Sequence, residues 1–328
     1  MKKPFRSCLA GQIEEFIYSK KASKKWSQSY ENNLHYFDNY CADWFPSAST
    51  LTKEMLEWCN ERLTENGNSC RIRITVVSLF LKYAIEKGWT KIDPPKVPTP
   101  RPCTYVPHAF TKKELSDFFE ICDRHVTNVS KYQNKIAGKI NILELPVYYR
   151  LLFSTGMRTN EARWLKRSDV DLAEGVININ QTKGFDQHRV ALHESMSKLL
   201  KVYDEKMDKL MPNRTCFFPN RNDCFQLPAW AEYHFRIIWK AVNNKEPARL
   251  YDLRSNYAVA NVARWKELGF GIHDKLLYLS RTMGHRHISS TYGYFNLSPT
   301  LTDKIKNLTE ASFNNLLPKL PDYEQEEQ

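Results

Sequence analysis

In the first part of the chain, apolar positions recur at steps of three and four. Tyr30, Leu34, Phe37, Cys41 and Trp44 form one such series, and Val76, Leu79, Phe80 and Tyr83 form another, which is the spacing of amphipathic helix faces. Two further helices fit around Ile13 to Ile17 and Met55 to Leu63, so residues 1–92 are expected to form a small four-helix bundle with its lysines outward. The pattern breaks over DPPKVPTPRPCTYVPHAF, residues 93–110, where prolines stand at 94, 95, 98, 100, 102 and 107. Proline fixes φ and has no N–H, so this stretch predicts an extended linker.

After the linker, Thr111-Lys-Lys-Glu114 has the form of a capping box opening a helix that carries Leu115, Phe118, Phe119 and Cys122. A long helix is expected over Leu143 to Ser154, ending near Gly156. The period then changes. Val176, Ile177 and Ile179, and later Val190 and Leu192, alternate around the turn-like TKGFDQ, which predicts a β-hairpin. Helical spacing returns from Ser195 to Leu210 and is expected to persist to the end of the chain. The expected class is mainly α (α+β), with a helical bundle followed by a mostly helical domain holding a small β-sheet or hairpin.

With 328 residues, 42% of them hydrophobic, the chain can bury about two ordinary cores. Charged residues at 26%, with 11 glycines and 16 prolines, exclude collagen-like and low-complexity classes. No apolar run approaches the roughly 20 residues a bilayer requires, and Glu14 and Glu15 interrupt the basic N-terminus before a signal-like apolar stretch develops. A cytoplasmic, reducing setting is therefore expected. The 8 cysteines include no CxxC pair and are expected to be free thiols, the closest pair, Cys216 and Cys224, leaving a loop disulfide as the alternative. Lys and Arg number 48 against 37 Asp and Glu, a net charge of +11 that favours a polyanionic partner.

Four segments of the second half hold the candidate chemistry. In LLFSTGMRTNEARWLKRSDVDL a helix stops at Gly156 and Arg158 opens the next turn, with Glu161 on the same face to hold its guanidinium. The hairpin INQTKGFDQHRVALH presents Lys183 at or near its tip, where a mobile ammonium group can carry a proton to a leaving oxygen. In LYDLRSNYAVANVARW, Tyr251 and Arg254 lie one turn apart on a shared face, and Asp252 can cap or pair locally. In SRTMGHRHISSTYGYFNLSP, Gly284 ends a helix, His285 opens the next turn and Tyr294 follows nine residues later. Each also fits a bland role when taken alone: Arg158 a surface ion pair, Lys183 a solvated loop lysine, His285 a structural histidine and Tyr294 a core or interface aromatic.

Taken together, TGMRTNEA, TKG, YDLR and MGHRHISSTYGY resemble the Arg, Lys, xxxR, GH and Tyr boxes of the tyrosine recombinase (phage integrase) family, in that family's order and usual separations. The resemblance covers about residues 107–297. It implies a helical core-binding, DNA-binding domain over 1–92, the linker 93–110 and a catalytic domain over 111–297, together forming a C-shaped clamp on DNA. The tail 298–328 carries an apolar stripe of Leu301, Ile305, Leu308, Phe313 and Leu316, which taken alone fits packing on its own domain and which the resemblance implies as a docking helix for a neighbouring subunit.

The resemblance implies that Tyr294 attacks a DNA phosphodiester and becomes linked to the 3′ phosphate. Arg158 and Arg254 would neutralise the phosphorane, since guanidinium forks match phosphate oxygens. Glu161 would support Arg158, Lys183 would protonate the departing 5′ oxygen, and His285 would hydrogen-bond the phosphate or accept the phenol proton. No metal or other cofactor is implied. The implied partners are double-stranded DNA, further copies of the chain in a synaptic tetramer, and homologous recombinase or accessory DNA-binding proteins, with no membrane.

One position departs from the family, whose second box most often reads HxxR where this chain has Tyr251. A phenol can hydrogen-bond a phosphate oxygen but carries no positive charge and is no base at neutral pH. Tyr292 is a rival nucleophile, His287 a second candidate base, and Arg281, Arg286 and His287 are candidates for DNA contact. The YxxR box and the inserted stretch DRHVTNVSKYQNKIAGKIN lean toward the integrase or transposase of a mobile element rather than a chromosome resolvase. The rival readings are a non-cleaving DNA-binding accessory protein and a topoisomerase-like relaxing enzyme.

Overall fold

The computed structural model describes residues 4–295 apart from 24–25, 61, 63–64, 101–104, 129–134, 183–186 and 269–271. The chain divides into two compact units, 1–104 and 105–328.

The first unit packs α1 (Ala10–Ala22), α2 (Gln28–Trp44) and α3 (Gly67–Glu86) around Ile13, Phe16, Leu34, Phe37, Val77 and Phe80. Asp38 is buried in α2 and ties down the segment before α1 by accepting from the Arg6 N–H at 2.7 Å and the Ser7 hydroxyl at 2.6 Å. The expected fourth helix over Met55 to Leu63 is instead a 3-10 helix, Glu54–Cys59. Its carbonyls are claimed from outside: the buried Arg73 donates to the Trp58 and Asn60 carbonyls and pairs with Glu65 at 2.6 Å. Asn60 accordingly leaves the helix in an extended conformation. Trp44 is also displaced from its expected place on the apolar stripe. It is the last residue of α2 and is 73% exposed, and Phe45 packs against the core in its stead.

Residues 91–100 and 105–110 have no regular secondary structure. They are nonetheless anchored, Ile92 and Val97 against the core of the first unit and 105–110 within the second. His108 lies within 3.2 Å of Glu114 and edge-on to Trp239, and Tyr105 donates to Asp252 at 2.5 Å.

The second unit opens with α4 (Lys112–Asn128), where the capping box closes as Thr111 N donates to Glu114 at 2.8 Å and Glu114 N to the Thr111 hydroxyl at 3.1 Å. The next helix, α5 (Ile136–Thr155), begins seven residues before the expected Leu143 and includes Pro146. Most of the apparent insertion 123–141 is therefore the end of α4 and the start of α5, with 129–134 outside the described residues. Short α6 (Thr159–Arg163) leads into an antiparallel sheet of order β1-β2-β3, β1 being Val170–Asp171, β2 Val176–Ile179 and β3 His188–Ala191. Val176 faces Ala191 and Ile179 faces His188. The expected hairpin thus carries a third strand. After α7 (Glu194–Leu210) the helical pattern does not persist: residues 211–229 form a loop held by bridges between Lys166 and Cys216 and between Pro219 and Phe225. Helices α8 (Trp230–Val242), α9 (Asp252–Glu267), α10 (Ile272–Thr282) and α11 (Ser289–Phe295) follow.

The larger core of this unit is centred on α5, which lies against α4, α7 and α9 and buries Tyr148, Tyr149, Leu151 and Leu152. A smaller one, with Ala258, Val262, Leu276, Leu279 and Met283, joins α9 to α10, and Tyr294 of α11 packs against it. Cys216 and Cys224 are free thiols directed to backbone carbonyls, which removes the disulfide alternative. Among the described residues no helix is long and apolar enough to cross a membrane.

Candidate active site

Gly156 ends α5 in the left-handed conformation at φ 64°, and the Tyr257 ring fills the space where a Cβ would stand. Only glycine meets both conditions. Two residues on, Arg158 caps α6 in extended backbone. Glu161, buried at 2% exposure, receives the Arg158 N–H on Oε2 at 2.9 Å and Nη1 on Oε1 at 2.5 Å. Thr182 adds its hydroxyl to the same Oε1 at 3.0 Å. Nη2 of Arg158 donates to the Gly284 carbonyl at 2.8 Å, joining α6 to the turn after α10.

Arg254, in the first turn of α9, is 2% exposed. A buried guanidinium needs acceptors for its N–H groups. Nη1 reaches the Gly156 carbonyl, Nη2 the Met283 carbonyl at 2.6 Å and His285 Nε2 at 2.9 Å, and Nε the Tyr294 hydroxyl at 3.0 Å. Arg254 can only donate, so His285 Nε2 is the acceptor; Nδ1 then carries the ring proton and donates to the Thr291 hydroxyl at 2.8 Å. Burial, followed by the cations Arg254 and Arg158, lowers the His285 pKa to about 4 and keeps the ring neutral near pH 7. The ring stacks beside Tyr294 at 5.7 Å between centroids.

Tyr294 Oη also lies 3.0 Å from the Tyr251 hydroxyl. Tyr251 is 44% exposed as a residue, but the protein packed around its hydroxyl, followed by this second phenol, pushes its pKa up to about 12. Six residues singled out from the sequence, Arg158, Glu161, Tyr251, Arg254, His285 and Tyr294, therefore meet in one cluster. Lys183 lies outside the described residues, as does the stripe from Leu301 to Leu316. Arg281, Arg286, His287 and Tyr292 are exposed, and the cluster closes without them.

His188 was not foreseen. A Cβ on Gly284, at φ 63°, would stand 2.5 Å from the His188 ring, which is thus packed beneath the turn bearing His285. The signal was in the strand period: His188 shares a face with the buried Val190 of β3. Among the described residues no group of His, Cys, Asp and Glu is arranged to hold a metal.

The sequence matches the phage integrase family over residues 109–300. Two proteins of Sinorhizobium fredii strain NGR234, each described as an integrase/recombinase, are similar to it. Protein y4rB is 24% identical over 76% of this chain and 81% of its own length. Protein y4rE is 24% identical over 60% of this chain, and the match spans 61% of y4rE itself. Among solved structures, XerH site-specific recombinase bound to palindromic difH substrate aligns at TM-score 0.59 and 17% identity, covering 87% of this chain and 79% of XerH. A lambda integrase tetramer bound to a Holliday junction aligns at 0.58 and 14% identity, covering 87% and 76%. The Tn1549 transposon integrase with circular intermediate DNA aligns at 0.57 and 12% identity, covering 86% and 94%.

Proposed function

The chain belongs to the phage integrase family, whose match covers residues 109–300, and from that premise we propose that it is a site-specific DNA recombinase that cuts and rejoins strands through a 3′-phosphotyrosyl intermediate on Tyr294. The observation that carries the proposal is the Tyr294 hydroxyl 3.0 Å from Nε of a buried arginine, with a neutral histidine stacked on its ring. A phenol is un-ionised at neutral pH and attacks phosphorus only as its proton leaves.

In the proposed step Tyr294 Oη bonds to phosphorus while the P–O5′ bond breaks. The phenol proton passes to His285 Nε2, which becomes available once a phosphate oxygen draws the Arg254 Nη2 donor away. Lys183 gives its proton to the departing O5′. Arg158 and Arg254 meet the charge on the phosphorane, each preorganised donor contributing about 10²–10³ in rate. A 5′ hydroxyl of a partner strand reverses the sequence and rejoins the DNA, so no external energy source enters the step.

Double-stranded DNA and a tetramer of this chain are the proposed partners. They suit the net charge of +11 and parallel the DNA-bound assemblies of XerH and lambda integrase. The proposed biological role is integration, excision or transposition of a mobile element.

Covalent capture tests this reading. The full-length protein is incubated with nicked duplex fragments from the DNA around its own gene and digested under denaturing conditions, and phosphotyrosyl peptides are located by mass spectrometry. An adduct on Tyr294 is expected. DNA binding with no adduct would overturn the reading in favour of a non-cleaving protein, and plasmid relaxation without recombinant joints would point to a relaxing enzyme.

A further inference from the structure

The Tyr294 oxygen has two protein neighbours at equal distance, Arg254 Nε and Tyr251 Oη, each at 3.0 Å. Tyr251 and Arg254 are fixed to one another, because the Arg254 N–H closes a turn on the Tyr251 carbonyl at 3.1 Å. Arg254 can only donate. Once the Tyr294 oxygen becomes an anion it can only accept, and the hydrogen of the phenol pair must then come from Tyr251.

We propose that Tyr251 is a positioning residue for the nucleophile: its hydroxyl donates to the Tyr294 oxygen as that oxygen is deprotonated, so that Tyr251 and Arg254 Nε form a two-donor seat for the attacking anion. The proposal rests on the reading of Tyr294 as nucleophile. The phenol at this box thus acts on the attacking oxygen, beyond the phosphate contact that its hydroxyl also allows. Tyr251 suits the task because burial and its neighbour push its ionisation up to about 12, so it keeps its proton while Tyr294 gives one up. Its proton is the same before and after the step, and the Tyr294 proton goes to His285. The other ionisable groups facing this pair and its histidine are Arg158, Arg254 and His188. A hydrogen bond to a charged acceptor is stronger than one to a neutral one, so the seat favours the ionised nucleophile over the resting one.

Two measurements on the full-length protein test the pair. In the first, tyrosines carry a 13C label at Cζ, and the Tyr251 resonance is assigned by its loss in Tyr251→Phe. At pH 11 Tyr251 stays mostly protonated in the wild type, and its midpoint falls in Tyr294→Phe, where the contribution of the second phenol is lost and that of burial remains. An unchanged midpoint in Tyr294→Phe, with its fold checked by thermal unfolding, overturns the pairing, and this arm does not depend on adduct formation. In the second, adduct formation on nicked duplex from around the gene is followed against pH. Tyr251→Phe should raise the half-maximal pH by about one unit, tenfold in proton concentration, and Tyr251→His, which keeps a donor, should return most of the rate. Coincident pH profiles for wild type and Tyr251→Phe, or an adduct on Tyr251 itself, overturn the proposal. If the wild type forms no adduct at any pH, the recombinase reading falls and the positioning role with it, while the resonance still reports the hydrogen bond.

Discussion

Glu161 spends both carboxylate oxygens on Arg158, one on its backbone N–H at 2.9 Å and one on its Nη1 at 2.5 Å. One buried side chain therefore both caps α6 and fixes the direction of the guanidinium. Glu161→Ala removes the cap, worth about 1 kcal/mol, and leaves Arg158 free to swing. The expected result is a Tm lowered by about 2–4 °C per kcal/mol for a domain of this size, together with adduct formation reduced about as far as in Arg158→Ala. Thermal unfolding and covalent capture, run side by side, check both effects, and DNA binding within a few fold of wild type separates the loss of chemistry from the loss of fold.

Gly284 is required by two independent facts, a positive φ of 63° and the His188 ring 2.5 Å from where its Cβ would lie. Gly284→Ala should cost about 1–2 kcal/mol for the left-handed conformation, and more for the displaced ring. Gly88 gives the control: its φ is 73°, and nothing lies within 4 Å of its Cβ position. Gly88→Ala should show the backbone cost alone and retain full adduct formation, whereas Gly284→Ala should lose it. Equal Tm losses and equal activity in the two variants would contradict the assignment of His188 to the packing under His285.

The boxes were legible in the sequence because a guanidinium, a phenol and an imidazole are read from residue identity, and their separations are fixed by helix and turn geometry. What holds them was less legible. Three of the acceptors for the two arginines are the carbonyls of Gly156, Met283 and Gly284, and a carbonyl carries no residue signature. The 3-10 helix Glu54–Cys59 was unreadable for a related reason: its length is set by Arg73, which captures the Trp58 and Asn60 carbonyls from α3. The first turns of α5 were less legible because Ile140 alone is fully buried over residues 136–142, so the apolar positions there trace no continuous buried face.

His285 should make stability depend on pH. Its pKa is lowered to about 4 in the folded chain, against about 6.5 in an unfolded one. Between those values the unfolded chain binds a proton that the folded chain does not, so stability falls as pH drops from about 6.5 toward 4 and is fully retained above 6.5. A Tm series over this window should slope downward toward acid, and His285→Gln should flatten part of that slope. A wild-type slope identical to that of the variant would show that His285 is not the group responsible.

The two arginines and the nucleophile should separate binding from chemistry. Arg158→Ala, Arg254→Ala and Tyr294→Phe are each expected to bind DNA within a few fold of wild type and to form no detectable adduct, since many phosphate contacts position the protein and few take part in the reaction. Arg254 is also the buried partner of two carbonyls, a histidine and Tyr294, so Arg254→Ala should in addition lower Tm more than Arg158→Ala. Arg254→Lys keeps a charge but cannot fill four acceptors in one plane, and its failure to restore adduct formation is the sharper test.

Lys183 is proposed as the acid for the departing 5′ oxygen, and the chemistry of the leaving group can isolate that role. Removing a general acid typically costs about 10²–10⁴ in rate, so Lys183→Ala should slow adduct formation by that amount on ordinary DNA. A substrate with sulfur in place of the bridging 5′ oxygen leaves as a thiolate, and a thiol ionises near 8.5 without help from an acid. On that substrate Lys183→Ala should approach the wild-type rate, while Arg158→Ala, whose charge serves the phosphorane rather than the leaving atom, should stay slow. If sulfur restores neither variant, or restores both, the proton belongs to another residue.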